Sequence, residues 1–172
     1  MDLWSAVAQR RSVRSYLADR PVTSEQVQRI LEAGIAAPSA GNAQPWFFYV
    51  VRSQEIKDAL ARAALNQDFV AQAPVVIVVC ADLERARYAY GSRGEHLYCL
   101  QDTAAATQNM LLGVTALGLG ACWVGAFDER AAARALDLPS HLRPVVIMPI
   151  GHPAHQPAPR PRRDLKAVSR QL

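Results

Sequence analysis

Cysteine is scarce: Cys80, Cys99 and Cys122 are the only three in 172 residues, an odd number with no C-x-x-C pair. That excludes a disulfide framework and a cysteine-rich zinc centre, and makes the cytosol the expected compartment. Glycine is sparse too, at nine residues, and no G-x-x-x-x-G-K-[ST] occurs, which argues against a P-loop NTPase. Gly118-Leu119-Gly120 comes nearest to a dinucleotide fingerprint, but it follows a helical stretch and lacks the third glycine, so a Rossmann site is poorly supported. His152 and His155 have H-x-x-H spacing, but they sit among prolines where no helix aligns them, and no metal is expected. Paired carboxylates and Ser/His/Asp spacing are missing. If the chain is an enzyme, a cofactor carries its chemistry. Met1-Asp2-Leu3-Trp4 lacks the charged-then-apolar layout of a signal peptide.

One long stretch has no charge. Twenty-five residues separate Asp102 from Asp128, enough to cross a bilayer. Polar groups at Thr103, Thr107, Gln108, Asn109 and Thr115 interrupt it, and Gly118 with Gly120 should end a helix midway. A central core helix followed by a buried strand is the better reading, with no membrane span.

With 51% apolar and 20% charged residues, the chain is neither disordered nor collagen-like, and its length suits one compact domain. The net charge of +4 is unevenly placed. Residues 1–20 carry +2, with Arg10, Arg11, Arg14 and Arg20 against Asp2 and Asp19. Residues 160–172 carry +4, and the stretch between carries −2. The basic ends have no interleaved aromatics to stack on bases, so nucleic acid is not the expected partner. Two arginine clusters far apart in sequence suit convergence on one small anion; solvated termini are the competing reading.

Residues 3–9 read as a short helix running into Arg10. Thr23 and Gln26 form a capping box for a helix reaching about Ala37, where Pro38 stops it. Trp46–Val51 reads as a strand, Ser53 caps a helix over 54–65, and the apolar run Val75–Cys80 suits a strand buried on both faces. A long helix is expected over 95–117, a strand from Ala121 to Gly125, a short helix capped by Asp128 and a strand over 145–150. Pro149, Pro153, Pro157, Pro159 and Pro161 then mark an extended tail. The pattern predicts a layered α/β fold with helices on both faces of a sheet, and no domain boundary before the tail.

Two segments stand out for chemistry. Arg10-Arg11-Ser12-Val13-Arg14 follows a helix, and guanidinium groups with a serine hydroxyl suit phosphate oxygens. Ala37-Pro38-Ser39-Ala40-Gly41-Asn42-Ala43-Gln44-Pro45-Trp46 offers small side chains, backbone free to approach a flat ring, and two amides. Together they suit a phosphorylated aromatic cofactor. Taken singly, each is also what a surface arginine run or an ordinary turn would look like.

These segments, with the helix Leu100–Leu112 running into Gly118–Gly125 and with Arg160-Pro161-Arg162-Arg163, give the chain a close resemblance to the FMN-dependent nitroreductase family over nearly its whole length. The resemblance implies a three-layer nitroreductase-like fold with a mixed central sheet over 1–172, and an FMN-binding homodimer whose arm, residues 152–172, reaches onto the partner subunit. It implies that Arg10, Ser12 and Arg14, with Arg11 alongside, hold the FMN phosphate and ribityl chain, and that Arg160 and Arg162 meet the same phosphate. Pro38, Ser39, Ala40 and Asn42 would come from the other subunit to pack on the isoalloxazine. Asn66 and Gln67 fall near an amide contact to the ring, and Trp123, Val124, Gly125 and Ala126 match the segment behind the flavin. Some larger members carry a glutamate there, whereas Gly125 stands in this chain, so a role for that glutamate does not transfer. The segment Asp82–Glu95 is short where longer members insert a substrate-covering excursion, which implies a more open pocket.

The expected activity is transfer of a hydride from NAD(P)H to FMN and on to a small planar, electron-poor acceptor such as a nitroaromatic or a quinone, in ping-pong fashion, with no catalytic side chain. A specialised flavin enzyme on the same fold and a non-catalytic FMN carrier are the alternatives.

Overall fold

The computed structural model describes residues 1–172. Helix α1 (Leu3–Gln9) starts where the Asp2 carboxylate accepts the Ser5 N–H at 3.0 Å. Helix α2 (Ser24–Ile35) starts at the expected capping box: Thr23 Oγ1 accepts from the Gln26 N–H, and Gln26 Oε1 accepts from the Thr23 N–H. It ends three residues before Pro38. Strand β1 (Trp46–Val51) has the predicted bounds, and Ser53 caps α3 (Gln54–Ala63). A single turn, α4 (Phe69–Gln72), leads into β2 (Val75–Asp82). Helix α5 (Leu83–Arg93) follows, capped by the Asp82 carboxylate. A π-helical segment, Gly94–Tyr98, joins α5 to α6 (Cys99–Ala116). Strand β3 (Gly120–Ala121), helix α7 (Glu129–Ala135) under its Asp128 cap, and strand β4 (Leu142–Gly151) complete the body.

The sheet order is β1-β2-β4-β3, and every pair of these strands is antiparallel. Its one parallel contact is the isolated bridge of Ser12, which lies outside the strands, with Ala121 of β3. Strand β2 lies between β1 and β4 and is covered on both faces, as its unbroken apolar run predicts. Its residues alternate between two cores. Val76, Val78 and Cys80 join Leu60, Val70, Ala132 and Ile147 from α3, α4, α7 and β4. Val75, Ile77 and Val79 join Ile30, Met110, Val114, Met148 and Ile150 from α2, α6 and β4. Helices, sheet, helices: this is the three-layer α+β arrangement. The two inner strands supply most of the large, fully buried side chains: Val75, Val76, Ile77 and Val78 from β2, with Ile147, Met148 and Ile150 from β4.

Two expectations need correction, and one segment gains an element. The helix placed over 95–117 begins at Cys99, because the four residues before it and Gly94 take the wider π turn. The strand placed over 121–125 is two residues long; beyond Ala121 the regular ladder stops, and contact with β4 continues through the Cys122 N–H, which donates to the Pro149 carbonyl at 3.3 Å, and the isolated Val124–Ile147 bridge. The segment 82–95, short beside that of longer family members and given no element from the sequence, forms α5. That helix carries little apolar periodicity and is broken at Tyr90–Gly91, where Gly91 takes a φ of 56°. No helix is long and apolar enough to cross a membrane. The uncharged run 103–127 consists of most of the buried α6 together with β3 and the loop leading to α7.

Candidate functional site

The two ends of the chain are zipped together. Ser12 bridges Ala121, the Val13 N–H donates to the Ala121 carbonyl at 2.9 Å, and Tyr16 bridges Pro153. The Leu17 N–H donates to the His152 carbonyl at 2.9 Å, and the Ala154 N–H to the Ser15 carbonyl at 3.0 Å. The head segment therefore runs beside β3, and the tail, on leaving β4, runs beside the head. Extended backbone puts alternate side chains on opposite sides. Val13 is buried, whereas Ser12 is half-buried and Arg14 exposed. The Tyr16 hydroxyl locks the junction by donating to the Val13 and Pro149 carbonyls, 2.8 and 3.2 Å away, and burial pushes its ionisation far up.

The consequence is a cavity of about 280 Å³ lined by Arg10, Arg11, Ser12, Arg14, Arg160 and Arg162. Pro157 and Ala158 complete its wall; neither stood out in the sequence, because a proline and an alanine in a tail carry no chemical signal. Five guanidinium groups meet there without a carboxylate, and none of the five is in an ion pair. The acids that do pair with arginine are elsewhere: Glu95 with Arg87 and Glu129 with Arg143. Arg11 also caps α1, donating to the Ala8 carbonyl at 2.7 Å, and its buried Nε has no acceptor. Like charges gathered without a counter-ion, beside an orphaned buried donor, fit a small polyanion such as a phosphate monoester.

Arg14 and Arg10 come near Cys122. Burial pushes the Cys122 thiol up, and the Arg14 and Arg10 cations pull against it. The Arg14 guanidinium lies 5.8 Å from the centroid of the Phe69 ring. Leu65 and Asn66 both take left-handed backbone, φ 60°, and the Gln67 amide donates to the Ala64 carbonyl at 2.9 Å and the Ala126 carbonyl at 3.4 Å. Gln67 and Ala126 are thus adjacent. Trp123 is partly exposed, Val124 is buried against β4, and Gly125 lies near the Trp123 indole.

Pro38, Ser39 and Ala40 line a different cavity, of about 370 Å³, with Tyr98, Gln101, Asp102 and Ala105 from the π segment and α6. Within one chain this loop is not part of the arginine cavity. It is tightly held: the Gln44 N–H donates to Ser39 Oγ at 3.0 Å, Arg85 donates to the Ala43 carbonyl, and the Ala40 N–H donates to Asp102 Oδ1 at 3.1 Å. Gly41, Asn42 and Gln44 take left-handed backbone with φ between 51 and 56°. A Cβ on Gly41 would fall 2.1 Å from the Tyr90 hydroxyl, so α5 crowds the turn as well. Asp102, the acid at the edge of the uncharged run, is 7% exposed and has no partner for Oδ2; burial pushes its carboxyl up while the Ala40 N–H draws it down. Its place beneath the loop was not legible in the sequence, although a solitary acid bordering such a run was the available signal.

The family described as "Nitroreductase family" matches this chain over residues 7–67 and 61–152. The chain is 33% identical to the NADH dehydrogenase of Thermus thermophilus, covering 98% of this chain and 95% of that protein. It is 33% identical to the FMN reductase [NAD(P)H] of Bacillus subtilis, over 94% of this chain and 70% of that one. Among solved structures, the NADPH:FMN oxidoreductase from Vibrio harveyi complexed with NAD+ superposes with a TM-score of 0.89 at 28% identity, covering 98% of this chain and 76% of that chain.

Proposed function

Since the chain belongs to the nitroreductase family and is an FMN-dependent, NAD(P)H-linked oxidoreductase, we propose that the arginine cavity holds the FMN phosphate and that two copies of the chain complete the ring site. The observation that carries this is the meeting of Arg10, Arg11, Arg14, Arg160 and Arg162 in one cavity that holds no carboxylate. When bound, FMN supplies the redox step, accepting a hydride from NAD(P)H and handing its electrons to a second substrate.

The chain's part is binding and orientation. Arg10, Arg14, Arg160 and Arg162 grip the phosphate, with Ser12 as a further donor and Arg11 beside them. Asn66, Gln67 and Trp123 to Ala126 offer backbone and amide groups to the edge of the ring; the bond of the Gln67 amide to the Ala126 carbonyl and the nearness of Arg10 and Arg14 to Cys122 support this. Pro38, Ser39 and Ala40 belong to the other face and come from the second copy, because within one chain they line a separate cavity, and Asn42 follows them in the same turn. The tail supports pairing: beyond residue 163 it is exposed, and Leu165, Val168 and Leu172 present apolar surface that a partner would cover. NAD(P)H and then an electron-poor acceptor, a nitroaromatic or a quinone, use the ring site in turn, in a ping-pong cycle.

The test is direct. Purified protein is expected to be yellow, or to become so with added FMN, and to oxidise NAD(P)H faster with a quinone or nitroaromatic than with oxygen alone. Protein that stays colourless with added FMN would sink the assignment.

A further inference from the structure

Asp102 is an anomaly of the fold. A carboxylate that is 7% exposed, has one hydrogen bond and has no donor for its second oxygen is disfavoured relative to an apolar side chain. No arginine, lysine or histidine pairs with it. Its neighbours on α6, Thr103 and Thr107, satisfy their hydroxyls on the helix's own carbonyls, whereas Asp102 reaches out of the helix to the Ala40 N–H. That N–H opens the single 3-10 turn Ala40–Asn42, in which Gly41 and Asn42 are left-handed. Left-handed backbone at Asn42 and Gln44 is held against its own preference, so the turn needs an outside restraint. The hydrogen bond to Asp102 restrains the turn at its first residue, as the Arg85 donation to the Ala43 carbonyl does at its end, and a charged acceptor makes it stronger than a neutral one.

We propose that Asp102 is a positioning residue for the oxidoreductase reaction: its buried carboxylate fixes the Ala40 N–H and so sets the Ala40–Asn42 turn against the flavin ring. This rests on the reading that loop 38–42 meets the ring. The carboxylate touches neither FMN nor acceptor; it acts through the loop.

The juxtaposition can be cut from either side. Asp102→Ala removes the acceptor. Ala40→Pro removes the donor and suits its position, because proline is tolerated at the first residue of a helical turn and Ser39 before it is already extended (φ −143°, ψ 156°). Asp102→Asn keeps an oxygen for the Ala40 N–H. Turnover with NAD(P)H and a quinone, and visible circular dichroism of the bound flavin, would be measured on the full-length protein at FMN concentrations that fill the site.

Asp102→Ala and Ala40→Pro are each expected to lower kcat about tenfold or more, as loss of a charge-assisted hydrogen bond would, and to alter the flavin dichroism. The double variant should be no worse than either single one, and Asp102→Asn should recover most of the rate. Wild-type dichroism and rate in both single variants, additive losses in the double, or Asn behaving like Ala would each overturn the role of Asp102. If the wild-type protein takes up no FMN, the site reading and this inference fall together; if it takes up FMN and the variants match it, only the inference fails.

Discussion

Arg14 has two relations at once, to the anion cavity and to the face of Phe69. Arg14→Ala removes a guanidinium that no carboxylate in the chain neutralises, so little native stability is lost with it. FMN affinity is expected to fall by about 1.5–3 kcal/mol, read by fluorescence titration of the apo-protein. Unchanged affinity would take Arg14 out of the site. A second residue makes a statement about pH. Cys80 lies in β2 with no exposed surface, and burial pushes its thiol from about 9 to about 12. Folding thus favours the neutral thiol. That contribution is complete below pH 9 and is lost as the pH rises from there towards 12, because the unfolded chain ionises first. Urea unfolding at successive alkaline pH values should show stability declining across this window, and Cys80→Val should flatten the decline. An unchanged slope would assign the loss to other groups, of which buried Tyr16 is the first to suspect.

At the level of elements, the site depends on a seam rather than on any single strand. The parallel bridge of Ser12 to Ala121 and the antiparallel bridge of Tyr16 to Pro153 hold the head between β3 and the tail. Gly120 is where that seam is tightest: a Cβ there would lie 2.7 Å from Val13 Cγ2, a buried side chain with nowhere to go. Gly120→Ala is expected to cost about 1–3 kcal/mol of stability by overpacking and to loosen FMN as well, since Ser12 and Arg14 flank the displaced residue. Thermal unfolding with and without FMN would show both effects; a stable variant with full affinity would mean that the cradle does not depend on the seam. Asp128→Ala is the contrasting case. It removes the cap of α7, where the Asp128 carboxylate accepts the Ala131 N–H at 2.9 Å, and should cost about 1 kcal/mol while leaving FMN affinity alone.

For the molecule as a whole, the tail is the segment with the least to hold it. From residue 158 onward every side chain is exposed, and the main ties before that are to residues 9–17 of the head. Truncation after Gly151 removes Arg160 and Arg162 from the cavity together with the Tyr16–Pro153 bridge. The shortened chain should keep its two cores, since neither contains a residue beyond Ile150. It should lose most of its flavin and its tendency to pair, measurable by absorbance at the flavin band and by sedimentation. A fully loaded truncated dimer would remove the arm from the proposed site. In the intact protein, FMN at a hundredfold excess over its Kd should raise unfolding free energy by about 2.7 kcal/mol, because only the folded chain has the cradle.

The sequence by itself determined the local structure and the chemistry of the ends. The Thr23–Gln26 capping box, the Asp128 cap, the six residues of β1 and the two-faced apolar run of β2 all formed as read, because capping and periodicity act over a few residues. Helix α5 was illegible because its apolar residues do not repeat at helical spacing and Gly91 breaks it. Tertiary structure alone decided that Arg10 to Arg14 and Arg160 with Arg162 share one cavity, that Pro38 to Ala40 line another, and that Asp102 lies under Ala40, sixty-two positions away. Those pairings are set by how β3, β4 and α6 lie against the chain's two ends. No local pattern carries that information, since contact between distant segments is fixed only when the sheet and its covering helices close.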